Sequence, residues 1–112
     1  MDTVLQVEDI IKNVKEWAEN IQIQYSEILT LEVLTERNVI YRAEFTCSHC
    51  MAEVLVGKPY WAPYRNVSFI VIALVNNVAE IVYHWYDSYE NTISDILEQL
   101  NKGIRFATDY NF

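Results

Sequence analysis

Residues able to do chemistry are few in this chain of 112 residues. Cys47-Ser48-His49-Cys50 is the one short motif whose spacing has chemical meaning. It suits half of a tetrahedral zinc site, or a redox dithiol. Zinc needs two more ligands, and the chain offers only His49, inside the motif, and His84. A set of Cys47, Cys50 and His84 is short of ligands unless a dimer shares it. A thioredoxin-type dithiol opens a helix that lowers the thiol pKa, whereas this pair falls in an expected hairpin. The reading adopted is structural thiols, with no metal and no cofactor.

His84 lies two residues from Val82 and from Tyr86, and strict alternation makes Glu80 its same-face neighbour. A general base needs a positioned partner and a substrate pocket. No serine in a strained elbow, glycine-rich phosphate loop or calcium-loop spacing accompanies it. The expectation is a surface or interface histidine in a protein that is not an enzyme. Between Gly57 and Asn66, Tyr60, Trp61 and Tyr64 sit among two prolines. Tyr and Trp dominate binding hot spots, so these three either meet a partner or fold back over the core edge. Lys58 and Arg65 alone are thin support for stacking nucleobases.

Sixteen acids against eight bases give a formal charge of −8, with 52% hydrophobic and 13% aromatic residues. Such a chain is too apolar for a disordered acidic tail and long enough for one domain, 1–112. The negative charge argues against direct binding of nucleic acid or anionic membrane, which needs clustered Lys and Arg. The longest apolar run, Phe69 to Val75, is far below the roughly 20 residues that span a bilayer. The first residues do not read as a secretory signal, and two cysteines make no disulfide framework. A cytoplasmic protein is expected.

Periodicity supplies the elements. Val7, Ile10, Ile11, Val14, Trp17, Ala18 and Ile21 recur at helical spacing, predicting a helix over 4–24. Ile93, Ile96, Leu97 and Leu100 predict another over 91–102, capped by Asn91 or Thr92 and stopped by Gly103. Between them the period changes to two, with strands expected at 28–35, 39–47, 50–56, 67–75 and 78–86. A three-residue turn, Glu36-Arg37-Asn38, sets Leu31 opposite Ala43 and Glu32 opposite Arg42. A two-residue turn sets Cys47 beside Cys50 and Phe45 beside Ala52, and leaves Glu44 facing Glu53, which is unfavourable. Asn76-Asn77 tolerates the positive φ of a tight hairpin.

The fold class is therefore α+β: a five-stranded antiparallel meander with an N-terminal and a C-terminal helix on one face. Along the last hairpin, Ile70, Ile72, Leu74, Tyr83 and Trp85 are taken as core. The other face would then show Met51, Leu55, Phe69, Val71, Val82 and Tyr86, edged by Glu44, Glu53 and Glu80. A contiguous apolar area of that kind marks an interaction surface. Acids near both helices serve partly as helix stabilisers and otherwise as a field that steers basic partners.

In composition and element order alone, the chain resembles small inhibitors of nucleic-acid-binding enzymes, bacterial immunity proteins and phage anti-defence proteins. The resemblance implies a protein partner that is basic or nucleic-acid-binding, contacted through Tyr60, Trp61, Tyr64, Glu44, Glu53 and Glu80. The alternative is a homodimer joined through the apolar sheet face and holding a small ligand. A third, weaker alternative is a zinc or redox protein centred on Cys47 and Cys50.

Overall fold

The computed structural model describes residues 6–57, 66–88 and 90–110. The element order is α1 (Val7–Gln24), β1 (Thr30–Glu36), β2 (Tyr41–Thr46), β3 (Cys50–Val56), β4 (Val67–Val75), β5 (Val78–Tyr86) and α2 (Ile93–Asp109). The strands form one antiparallel sheet in the order β1-β2-β3-β4-β5, as a meander requires.

Helix α1 buries the seven residues that its periodicity singles out. They lie over β2 through Trp17, whose ring meets Phe45 edge-on at 5.5 Å. The Trp17 indole N–H also donates to Asn101 Oδ1 at 2.8 Å, which ties α1 to α2. Helix α2 opens with a capping box: the Thr92 hydroxyl accepts from the Asp95 N–H, and the Asp95 carboxylate accepts from the Thr92 N–H.

Gly103 does not stop α2, which runs on to Asp109. It is instead the point where the helix touches the sheet. A Cβ on Gly103 would sit 2.3 Å from a ring carbon of Phe69. A glycine inside a helix costs about 1 kcal/mol, and the close approach to Phe69 is the compensation.

That contact overturns the expected sidedness of β4. Val67, Phe69 and Val71 are fully buried beneath the helices, and Ala73 nearly so. Ile70, Ile72 and Leu74, expected in the core, point the other way. A bulge in β5 reconciles that sidedness with the aromatic residues of β5. Pairing follows Asn76-Asn77, both at positive φ, from Val75↔Val78 to Ile72↔Ile81. One extra residue, Val82, then shifts the register, so Val71 meets Tyr83 and Phe69 meets Trp85. The aromatics are indeed on the core side, but with the odd-numbered residues of β4.

The first hairpin also differs. The loop has four residues, closed by Arg37 N–H donating to Ile40 O at 2.8 Å, and β1 is irregular between Val33 and Thr35. Leu31 therefore faces Phe45, not Ala43, and Glu32 faces Glu44, not Arg42. Gln22 explains the register from the other end. Its side chain accepts from Leu31 N–H and donates to Leu29 O, holding the start of β1 against α1.

Asp87 is also spent inside the fold. It is 5% exposed, and its Oδ1 accepts from the N–H groups of Asn66 and Val67, each at 2.8 Å. It fastens the end of β5 to the start of β4.

Gly103→Ala is expected to lower stability by about 1–3 kcal/mol through overpacking against Phe69. Phe69→Leu in the same chain should recover part of the loss. Urea unfolding of the single and double variants measures this, and additive losses would show that the two residues do not meet.

Candidate functional site

With both helices on one side, the opposite side of the sheet is built from the alternate residues of each strand. Following the pairing across the sheet gives one row: Glu32, Glu44, Glu53, Ile70, His84. The next row toward the β2–β3 turn reads Thr30, Thr46, Met51, Ile72, Ile81. Strands lie about 4.8 Å apart, so the three glutamates form a ladder of like charge about 10 Å long on β1–β3. Beyond it, on β3–β5, the face turns apolar. Met51, Leu55, Ile70 and Ile72 are half-buried, while Leu74 is 64% and Ile81 57% exposed.

Arg42 partly answers the ladder. Its Nη2 donates to Glu53 Oε2 at 2.9 Å. Among the described residues, neither Glu32 nor Glu44 makes an ion pair. At the β2–β3 turn, Met51, Ile72 and Leu74 join Ser48, His49, Cys50 and Ala73 around an open pocket of about 360 Å³.

The expected site residues divide as follows. Glu44, Glu53, Met51, Leu55, His84 and Tyr86 do share the outer face, where the His84 and Tyr86 rings stack at 5.1 Å. Phe69 and Val71 do not: both are fully buried in the core. Val82 is the bulged residue of β5, half-buried and packed against the core cluster. Glu80 pairs with buried Ala73 and so lies on the helix side of the sheet, away from His84. The bulge separates the two, and no Glu80–His84 pair forms. Tyr60, Trp61 and Tyr64 lie outside the described residues.

Glu32, Ile70, Ile72, Leu74 and Ile81 were missed. The apolar ones carried no usable signal, since both faces of β4 are apolar and only the hidden bulge tells them apart. The expected three-residue turn puts Glu32 on this face but opposite Arg42, where it would be neutralised, and so conceals its place beside Glu44.

Cys47 is half-buried and Cys50 buried, both as free thiols. Cys47 N–H donates to Cys50 O at 2.9 Å, closing the expected two-residue turn. The Cys50 thiol donates to Ala107 O at 3.2 Å, against the last turn of α2. Burial, then the neighbouring Cys47, pushes the Cys50 thiol up to about 12, and burial raises Cys47 as well. Reactive cysteines are shifted the other way. Among the described residues, no three or more His, Cys, Asp or Glu side chains gather as a metal site would require.

Tyr41 is fully buried, and among the described residues its hydroxyl has no hydrogen-bond partner. Burial, then the nearby Glu36 and Glu19, pushes it up to about 12. Raised folded values mean that Tyr41 and Cys50 leave stability intact below their ordinary pKa values. Their protons are lost first from the unfolded chain, so stability falls as pH climbs from about 9 toward 12. Tyr41→Phe and Cys50→Ala should each flatten that decline, by at most about 1.4 kcal/mol per pH unit. Tyr41→Phe should also be at least as stable at pH 7, because the orphaned hydroxyl is gone. Urea midpoints at pH 7 and pH 10.5 test both, and parallel losses in variants and parent would refute the assignment.

Among the described residues, no helix is long and apolar enough to cross a membrane. Compared with known proteins, the chain matches no protein family, no curated protein and no solved structure.

Proposed function

We propose that this chain is a non-enzymatic protein-binding module of the inhibitor or immunity type, as in bacterial immunity or phage anti-defence, and that its outer sheet face occupies a basic surface of its partner. One observation carries the reading. The face beyond the helices is apolar over β3–β5 and bears the Glu32–Glu44–Glu53 ladder over β1–β3.

Area and charge together favour a basic partner. The apolar part spans about three strands and six residues, roughly 300 Å² in projection at ordinary strand spacings. A stable interface takes about 800 Å² of accessible surface per partner. A partner that holds well must therefore use the acidic half too, and carboxylates are buried there at tolerable cost only against Lys or Arg.

A second copy fits less well. In aligned face-to-face packing, a two-fold along the ladder sets glutamates over glutamates. A two-fold along the strands sets Glu44 over Ile70. An offset that avoids both gives up the acidic half of the area. The zinc or redox reading finds less support in the geometry: the Cys50 thiol is engaged by Ala107 O, and among the described residues no third ligating side chain joins the two cysteines.

A photo-crosslinker at Ile81, irradiated in extract of the native cells at set salt concentrations, is expected to capture a protein of net positive charge. Capture should fall on the order of tenfold between 50 and 500 mM salt and be lost in Leu74→Glu. A product containing only this chain and indifferent to salt, or capture untouched by Leu74→Glu, would overturn the proposal.

A further inference from the structure

We infer that the occupant of the outer face is an amphipathic α-helix of a basic partner, laid across the strands. Its Lys or Arg residues stand one turn apart along the ladder, over Glu32 and Glu44 and at Glu53, whose carboxylate they share with Arg42, and its apolar anchor fills the pocket between Met51, Ile72 and Leu74. The inference rests on the protein-binding reading above and goes on to name the binding element.

Backbone chemistry is the first reason. A sheet face presents side chains only, because the strand N–H and C=O groups lie in the sheet plane and, inside the sheet, pair with neighbouring strands. An extended segment pressed onto the face would carry its own backbone groups into a partly dry contact without partners. A helix satisfies them internally. Extended peptides add instead at sheet edges, and the β5 edge is interrupted by the bulge at Val82, a feature that discourages edge pairing.

Spacing is the second reason. Three neighbouring strands place their ladder carboxylates over about 9.6 Å. Helix positions i, i+4 and i+7 rise about 10.5 Å, within the reach of long side chains. Alternate residues of a strand would cover about 13 Å.

Position is the third. Met51 precedes Glu53 by two residues on the same face of β3, about 7 Å away. The near edge of the pocket, at Met51 and Ile72, therefore lies beside the ladder, within the width of a single helix, roughly 10 Å, while Leu74 stands farther out at about 13 Å. One helix reaches both, with its basic edge over the acids and its apolar edge at the pocket. Hot spots are this type of buried anchor, with charges around it.

The test uses the full chain and two synthetic helical peptides of about 14 residues, identical in composition. The first carries lysines at i, i+4 and i+7 beside leucines and a phenylalanine anchor, and the second has the lysines spread around the helix. The first peptide should shift the amide resonances of Met51, Glu53, Ile72 and Leu74 and gain helicity on binding. It should bind about fivefold more weakly to Glu44→Lys and about twofold more weakly to Glu44→Gln. If both peptides bind this face equally, or the first binds without becoming helical, the helix is refuted while the docking face stands. If neither perturbs this face, or light scattering finds a dimer with the same amides protected, both the helix and the face as a site for foreign partners fall.

Discussion

The Phe69 ring lies against the bare backbone of Gly103, and the sidedness of the sheet follows from that contact. Strand side chains alternate strictly, so one inward residue fixes its whole strand. With Phe69 inward, Val67, Val71 and Ala73 must follow, and Ile70, Ile72 and Leu74 must face out. Pairing then transmits the choice to β3, where Val54 and Ala52 meet Phe69 and Val71. Tyr83 completes the arrangement, edge-on to Phe69 and 4.9 Å from Phe106 of α2. The aromatic chain from β4 through β5 to α2 is therefore closed only because position 103 carries no side chain.

Much of this fold is legible in the sequence, and the exceptions have specific causes. The helical stripe of α1, the Thr92 cap, the bounds of β3, β4 and β5 and the Cys47–Cys50 turn all follow from local pattern. Local pattern fails where both options are apolar. In β4 either parity buries branched residues, and Tyr83 and Trp85 indicate the wrong one unless an extra residue is inserted at Val82. A bulge leaves no mark on composition, and this one also breaks the expected Glu80–His84 adjacency. Gly103 was legible as a special position but misread, since a helix stop and a helix–sheet contact call for the same residue.

The first hairpin is a conflict between its ends. Gln22 and buried Leu29 hold the start of β1 against α1, and the four-residue loop sets its finish at Glu36 opposite Tyr41. The irregularity between Val33 and Thr35 reconciles the two. The result forgoes a Glu32–Arg42 pair in favour of Glu32 against Glu44. Like charges directly opposite are unfavourable, on a scale of about 0.2–1 kcal/mol per pair, which is small beside the packing of Leu29 and Leu31. The ladder is thus a by-product that core packing can tolerate.

Other carboxylates have work inside the molecule. Asp87 clamps two strands, Asp95 caps α2, and Glu36 accepts from Lys15 Nζ at 2.9 Å. Glu32 and Glu44 make no such contact among the described residues, and they lie on the sheet face opposite the helices. Carboxylates needed for solubility alone would interrupt the apolar area, whereas here they stand to one side of it. Under the proposed docking, that separation divides the labour of binding. The ladder acts at the range of the screened field and sets how often a basic partner arrives. Ile70, Ile72 and Leu74 act only on contact and set how long it stays. Docking of that kind is fast at low salt and keeps a slow component of release that salt does not reach, which is the kinetic signature the proposed partner should leave.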